Sequence, residues 1–155
     1  MNYPDPGNNF LDQHVAMLLD SYRHWLGKPL LEQDSGPYDL AREVFYAPFA
    51  VISHNTEADP VFNYANKKAL ALFECAWDEM TQMSSRLSAE PVQQAERAKL
   101  LAEVTQNGYI EHYQGVRIAK SGNRFIIKNA TVWNLIDQEG RYSGQAAFFK
   151  DWQYL

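Results

Sequence analysis

The stretch from residue 109 to residue 152 decides the fold, and it reads YIEHYQGVRIAKSGNRFIIKNATVWNLIDQEGRYSGQAAFFKDW. Aromatic and β-branched residues dominate three segments of this stretch, and turn residues separate them, which predicts three consecutive antiparallel strands. We expect these strands over residues 109–119, 124–136 and 142–152. Asp137 and Gly140 occupy the first and fourth positions of a predicted type I turn between the last two strands.

The first turn of this meander sets the pairing of its strands. Gly122 and Asn123 suit a two-residue turn of the primed type. Pairing around that turn sets Ile118 opposite Ile127 on one face and Arg117 opposite Lys128 on the other. We therefore expect Arg117 to face outward.

The chain before the meander predicts two short strands and several helices. An N-terminal helix is expected over about residues 9–27, with Asn8 or Asn9 as its N-cap and Gly27 at its end. A connecting loop over about 27–39 and a short helix over 40–46 follow. Next come strands over 49–54 and 60–64, then helices from residue 66, over 77–83 and over 90–106. The fold class is therefore α+β: a five-stranded antiparallel sheet with intervening helices and an additional N-terminal amphipathic helix, in one domain over residues 1–155.

The N-terminal helix carries a broad apolar face with two interpretations. Its face either packs on the sheet of its own domain or forms a homodimer. The residues in question are Phe10, Val15, Leu18, Leu19, Tyr22 and Trp25.

Composition limits the class of protein. The 14 Lys and Arg against 19 Asp and Glu give a net charge of −5, which makes nucleic acid an unlikely partner. The single cysteine, Cys75, leaves no internal disulfide to form, and no apolar run is long enough to cross a membrane. We expect a cytoplasmic protein without membrane association.

The order of elements resembles the PAS fold, and short motifs along the chain are similar to the MEKHLA-domain family. These motifs are Ser53-His54, Asp59-Pro60, Phe62 to Asn66, Trp77 to Met80, Gly115 to Ile118, Gly122 to Phe125, Val132 to Leu135 and Gly144 to Ala147. In plants this domain lies at the C-terminus of class III homeodomain-leucine zipper transcription factors. The resemblance implies a free-standing bacterial member with a regulatory or interaction role and no defined reaction.

Cofactors known from PAS relatives can be compared with these residues. The cofactor is unknown, and flavin and haem are both disfavoured. Cys75 lacks the sequence context of a light-oxygen-voltage photosensor, and residues 66–106 contain no His to serve as an axial haem ligand. His112, on a strand, is the remaining haem candidate.

A ligand cavity is expected where the meander faces the helices. Polar residues on that face interrupt an otherwise apolar set, as in small-molecule sites. The predicted lining comprises Phe125, Ile127, Asn129, Thr131 and Trp133 on the second meander strand, Gln145 on the third, and Phe73, Trp77 and Met80 from the helices. The alternative is a filled core in which the polar groups bond to each other or to the backbone.

Catalytic signatures are sparse. His54 lies close in sequence to Glu57 and Asp59, so an imidazole oriented by a carboxylate is conceivable, whereas the alternative is turn chemistry. No pair of His has the spacing of a metal site, and the common hydrolase, kinase and metalloprotease motifs are missing from the sequence. We therefore name no catalytic residue beyond these three candidates and no metal ligand.

Charged residues form one basic cluster and one mixed helix. Arg117, Lys120, Arg124 and Lys128 lie on the first hairpin without an intervening acid and are candidates for binding an anion or a partner, the alternative being a solvated face. On the helix over 90–106, Arg97 and Lys99 with three glutamates are expected to face solvent.

The sequence thus predicts a PAS-like sensory or regulatory module that binds a small organic ligand or a protein partner, without chemistry of its own. A dimerisation or interaction module with a filled core is the first alternative. A small enzyme using His54 with Asp59 or Glu57 is the second.

Overall fold

A computed structural model describes residues 1–32 and 35–155 of the protein. Its helices are α1 (Asp12–Leu26), α2 (Pro37–Tyr46), α3 (Lys67–Phe73), α4 (Trp77–Met80) and α5 (Pro91–Asn107), with short 3₁₀ helices at Pro6–Leu11 and Ser85–Ser88. Its strands are β1 (Ala50–His54), β2 (Phe62–Ala65), β3 (Tyr109–Ile118), β4 (Arg124–Ile136), β5 (Tyr142–Phe149) and β6 (Asp151–Tyr154). The predicted connection over 27–39 includes residues 33 and 34, which lie outside the described residues.

The strands form one antiparallel sheet in the order β2-β1-β5-β4-β3, which confirms the predicted α+β class. The predicted third meander strand is interrupted at Lys150, after which β6 continues along β4. The turn from Asp137 to Gly140 forms as predicted, since the Gly140 amide donates to the Asp137 carbonyl.

Helices cover both faces of this sheet. Trp133 on β4 donates through Nε1 to the carbonyl of Leu18 in α1, at 3.2 Å. Its neighbour Asn134 points the other way and donates to the carbonyl of Val104 in α5, at 3.0 Å. Because successive strand residues alternate between faces, α1 lies on one side of the sheet and α5 on the other.

The register predicted for the first hairpin is wrong. Arg117 pairs with Phe125 and Ile118 with Arg124, because the loop has three residues instead of two. The Ala119 amide donates to the Asn123 carbonyl, and Gly122 adopts a φ of +94°. The three-residue loop places its left-handed residue at Gly122, because glycine adopts a positive φ without steric cost. The pairing shifts by three positions, an odd number, so Arg117 points into the protein.

A second irregularity reverses the faces farther along β4. Asn129 adopts a φ of +53°, opposite His112 with a φ of +58°, and the two exposed side chains bond to each other. The alternation of side chains between the two faces of the sheet is therefore shifted by one residue beyond this kink. For this reason Thr131 and Trp133 lie on the α1 side of the sheet, which corrects their predicted placement on the cavity side.

The N-terminal helix ends at Gly27 as predicted, but it begins later than expected. Asp5 caps the preceding 3₁₀ turn, whereas Asn9 takes a left-handed conformation and caps nothing. The apolar face of the helix packs within its own chain, on α2 and on β4 of the sheet. Val15, Leu18 and Tyr22 are buried, as is Phe10, whose ring packs on Phe45 and Tyr46 of α2, and Leu19 and Trp25 are partly buried. Most of the predicted homodimer surface is therefore buried within its own chain, and the homodimer stays a prediction.

Asn66 connects three elements in the interior. Its Oδ1 accepts hydrogen bonds from the amides of Val51 and Ala69, and its Nδ2 donates to the carbonyls of Val44 and Phe49. The side chain thus caps α3 and satisfies backbone groups of β1 and α2.

None of the helices within residues 1–32 and 35–155 combines the length and the hydropathy needed to cross a bilayer.

Candidate functional site

A cavity lies between α5 and the face of the sheet that α5 covers. Its volume, counted as the space open to the centre of a water-sized sphere, is about 60 Å³. Apolar side chains form most of its wall: Ile52, Phe62, Phe73, Leu100, Leu101, Ile127, Val132, Ala147 and Phe149. The polar residues that line it are Ser53, His54, Ser88, Arg97, Tyr113, Arg117 and Gln145. Mostly apolar walls with a few polar groups are typical of small-molecule sites.

Arg97 reaches the cavity from α5. Its exposed fraction is 8%, because it shares the inner face of the helix with Leu100 and Val104, three and seven residues later. The structure therefore corrects the prediction that Arg97 faces solvent. Burial, together with the charge of Arg117, lowers the pKa of Arg97 to about 10, which leaves the guanidinium charged at neutral pH.

Arg117 reaches the same cavity from β3 and is 7% exposed. Its Nη1 donates to the carbonyl of Val116 at 2.8 Å, and its Nη2 donates to the hydroxyl of Tyr113 at 3.1 Å. Both acceptors are neutral oxygens. The hydroxyl of Tyr113 donates in turn to the carboxylate of Glu96, whose side chain lies in solvent.

Gly115 makes room for this arrangement. A Cβ atom at this position would overlap the hydroxyl of Tyr113 and would lie 3.0 Å from Nη1 of Arg117. Tyr113, Gly115 and Arg117 alternate along β3 and share its inner face, so the tyrosine lies across the glycine.

His54 and Gln145 pair across β1 and β5 at another part of the wall. Nδ1 of His54 lies 2.9 Å from the carbonyl of Asn55, and its buried Nε2 makes no hydrogen bond with any described residue. Burial lowers the pKa of His54. Gln145 donates through Nε2 to the Leu101 carbonyl and to side-chain oxygens of Thr105 and Asn134.

The structure brings part of the predicted ligand set together. Phe73, Ile127 and Gln145 line the cavity, and Phe125 packs on Phe73 with ring centroids 5.2 Å apart. Met80 and Trp77 are buried outside the lining, where Trp77 donates to the carbonyl of Met1. Asn129 is exposed, and Thr131 and Trp133 lie on the opposite face of the sheet.

Sequence reasoning missed Arg97, Arg117 and Tyr113 as cavity residues. Two signals could have indicated them. Arg97 has helical spacing to Leu100 and Val104, and a glycine separates Tyr113 from Arg117 in a strand.

The candidate catalytic residues do not meet. The carboxylate of Asp59 accepts from Ser84 at 2.9 Å and pairs with Arg86 at 3.2 Å, and Glu57 is exposed. His54, in contrast, is buried against the backbone carbonyl of Asn55. The geometry therefore does not bring a carboxylate to the imidazole of His54.

The predicted basic cluster is divided among separate partners. Arg117 is buried, whereas Lys120 pairs with Glu79, Arg124 lies 3.6 Å from Glu90, and Lys128 donates to Gln153. The prediction that Arg117 faces outward with the other three is wrong, because the register of the hairpin turns Arg117 inward.

Cys75 lies in the turn between α3 and α4, where it is not among the residues that line the cavity. His112 is exposed and bonded to Asn129. Within the two described ranges, no three His, Cys, Asp or Glu side chains gather closely enough to hold a metal ion.

Comparisons with solved structures show the fold. A PAS domain of a protein from Colwellia psychrerythraea superposes with a TM-score of 0.63 at 11% identity, over 76% of this chain and 94% of that one. An RNA-binding light-oxygen-voltage receptor gives a TM-score of 0.62 at 16% identity, over 78% of this chain and 35% of that one. A variant of the fungal photoreceptor VVD gives 0.59 at 16% identity, over 86% and 93% of the two chains. The protein therefore has a PAS fold.

Sequence comparisons show the family. Homeobox-leucine zipper protein HOX10 from Oryza sativa subsp. indica is 23% identical over 137 residues, which covers 87% of this chain. The protein of that name from Oryza sativa subsp. japonica matches equally well. The chain spans 16% of the length of these relatives. The model of the MEKHLA domain matches residues 12–154, and the chain therefore belongs to the MEKHLA domain family.

Proposed function

We propose that this chain is a sensory or regulatory module that binds a small organic ligand in the cavity between α5 and the sheet. The observation that carries the proposal is the cavity itself, in which apolar walls surround a few buried polar side chains. The PAS fold supports a sensory role. Because one fold can host many functions, the proposal rests on the residues of the cavity.

The ligand acts as a signal in this proposal and is not transformed. The bonds of Asp59 to Ser84 and Arg86 give no support to an enzyme built on His54 and Asp59. The interaction module remains a prediction, but the face of α1 on which it was based packs against β4.

Native mass spectrometry of the purified protein, with an absorption spectrum of the same sample, tests the proposal. We expect a bound mass above the 17.8 kDa of the chain, or a thermal stabilisation by members of a library of small metabolites. An absorption band in the visible range would identify a coloured ligand.

Three variants place that ligand. Ala147→Leu fills the cavity and should abolish binding, and Gln145→Leu should weaken it. Trp133→Phe is the matched control, because Trp133 packs under α1 on the other face and its replacement should leave affinity unchanged. Circular dichroism verifies that each variant is folded. Equal affinity in Ala147→Leu and the wild type would overturn the proposal, as would the lack of both a bound mass and any stabilising compound.

A further inference from the structure

Arg97 is a buried cation that pairs with no carboxylate in the described part of the chain. Within residues 1–32 and 35–155 its guanidinium makes no hydrogen bond and no salt bridge, although the side chain is 8% exposed and lines the cavity. Exposed arginines of the same chain do have carboxylate partners: Arg86, Arg124 and Arg141. A buried charge is strongly unfavourable unless it is paired, so this guanidinium calls for an anion.

Arg117 adds a second positive charge to the same cavity. Its bonds go to the neutral oxygens of Val116 and Tyr113. The carboxylate of Glu96 accepts a hydrogen bond from the Tyr113 hydroxyl, so the tyrosine lies between this carboxylate and Arg117. His54 adds no charge near neutral pH, because burial lowers its pKa. Arg97 and Arg117 thus both line the cavity, the charge of Arg117 opposes that of Arg97, and one anionic group bound there could neutralise both.

The rest of the wall indicates what else this anion carries. Ile52, Leu100, Ile127 and Val132 form apolar surface that inorganic phosphate or sulfate would leave uncovered. The cavity volume of about 60 Å³ has room for about four to six water-sized groups at roughly 10–15 Å³ each. A carboxylate with a short hydrocarbon chain matches both the charge and the size.

We infer that the ligand is a short-chain carboxylic acid. Its carboxylate binds to Arg97 and Arg117, and its hydrocarbon chain contacts the apolar wall. This inference rests on the proposed function. Guanidinium groups bind carboxylates through parallel hydrogen bonds, which favours arginine over lysine at both positions.

Calorimetric titration with sodium butyrate tests the inference, with butyramide as a neutral probe of nearly the same shape. Inorganic phosphate serves as the purely anionic probe, and sodium chloride controls for ionic strength. We expect butyrate to bind and to raise the thermal unfolding temperature, whereas butyramide and phosphate should bind far more weakly. Phosphate binding as tightly as butyrate would overturn the assignment to a carboxylic acid, as would equal binding of butyramide. If acetate, butyrate and hexanoate all fail to bind, the inference is also overturned.

Variants identify the groups that bind the carboxylate. Arg97→Met should weaken butyrate binding by about ten- to hundredfold, since hydrogen bonds to charged groups are lost. Arg97→Lys keeps the charge without the planar fork and should fall between Arg97→Met and the wild type, which protects the test if the methionine variant does not fold. Lys99→Met is the matched control on the exposed side of α5 and should bind like the wild type.

These variants also separate the inference from the proposed function. A ligand that is displaced by Ala147→Leu but binds equally well to Arg97→Met would leave the sensory proposal intact and overturn the carboxylate assignment. A failure of Ala147→Leu to affect any bound compound would overturn both.

Discussion

Replacing Arg97 by methionine should make the ligand-free protein more stable. The Arg97 side chain is buried and pairs with no carboxylate within residues 1–32 and 35–155, and the nearby charge of Arg117 opposes its own charge. Methionine keeps an unbranched chain that can follow the same path from α5 along the apolar wall, but it introduces no charge. The substitution therefore removes an unfavourable buried charge while most of the packing is kept.

The pKa of Arg97 gives the magnitude. Burial, and then the charge of Arg117, lowers the pKa of Arg97 from its ordinary value to about 10. At about 1.4 kcal/mol per pKa unit, the charge of Arg97 lowers the free energy of unfolding by about 3 kcal/mol near neutral pH. A lowered pKa of a base disfavours its charged form in the folded state, so the penalty is complete below pH 10 and disappears as the pH rises through the ordinary pKa of arginine. Replacing buried ionic groups by apolar ones stabilises other proteins by about 1–4 kcal/mol, which agrees with this figure.

Urea unfolding at neutral pH, followed by tryptophan fluorescence, measures this effect. We expect the midpoint to rise for Arg97→Met, and the thermal unfolding temperature to rise by roughly 6–12 °C for about 3 kcal/mol. Lys99→Met makes the same replacement at an exposed position of the same helix and should change stability by less than about 0.5 kcal/mol. If Arg97→Met is less stable than the wild type while Lys99→Met is unchanged, Arg97 contributes to the stability of the fold and the reasoning about an unpaired charge fails.

Two further predictions concern the remainder of the interior. Asn66→Ala leaves buried backbone groups unpaired and removes the cap of α3. We therefore expect urea unfolding to show a loss of about 3–5 kcal/mol in the free energy of unfolding, and less than about 1 kcal/mol for the exposed control Asn123→Ala. Similar losses in the two variants would contradict this prediction. His14 has a pKa lowered to about 4 by burial and by the charge of the N-terminus, and its Nε2 lies 3.0 Å from Ser53 Oγ. Because the unfolded chain takes up this proton near pH 6.5, stability should fall by up to about 3 kcal/mol as the pH decreases from 6.5 to 4, and His14→Gln should reduce the slope; an unchanged slope would refute the assignment to His14.

The elements of the fold were predictable where local sequence and the global structure agree. The bounds of β4 match the predicted strand over 124–136, and Asp137 and Gly140 form their predicted turn because each residue suits its position. The faces of the strands were not predictable to the same degree. A loop one residue longer than expected, and single positive-φ residues at His112 and Asn129, invert which side chains point inward.

The candidate site was partly predictable for the same reason. The kink does not affect three of the predicted cavity residues. Ile127 precedes it on β4, and Phe73 and Gln145 lie on other elements, so all three line the cavity as predicted. Thr131 and Trp133 lie beyond the kink, and the assumption of strict alternation places them on the wrong side. A residue-by-residue pattern cannot detect such a kink, because a left-handed asparagine leaves no mark in the hydrophobic periodicity.

The two arginines show why polar residues of a ligand site are hard to recognise in a sequence. Arg97 and Arg117 look like surface residues because charged side chains are rarely buried. We expect the ligand-free fold to be more stable with an apolar residue at position 97, so the burial of Arg97 opposes stability. Buried charges that lower stability are expected at functional sites, because residues there are needed to bind a ligand. Gly115, between Tyr113 and Arg117, supports this view. A glycine inside a strand lowers stability, but only glycine leaves space here for the Tyr113 hydroxyl that accepts a hydrogen bond from Arg117.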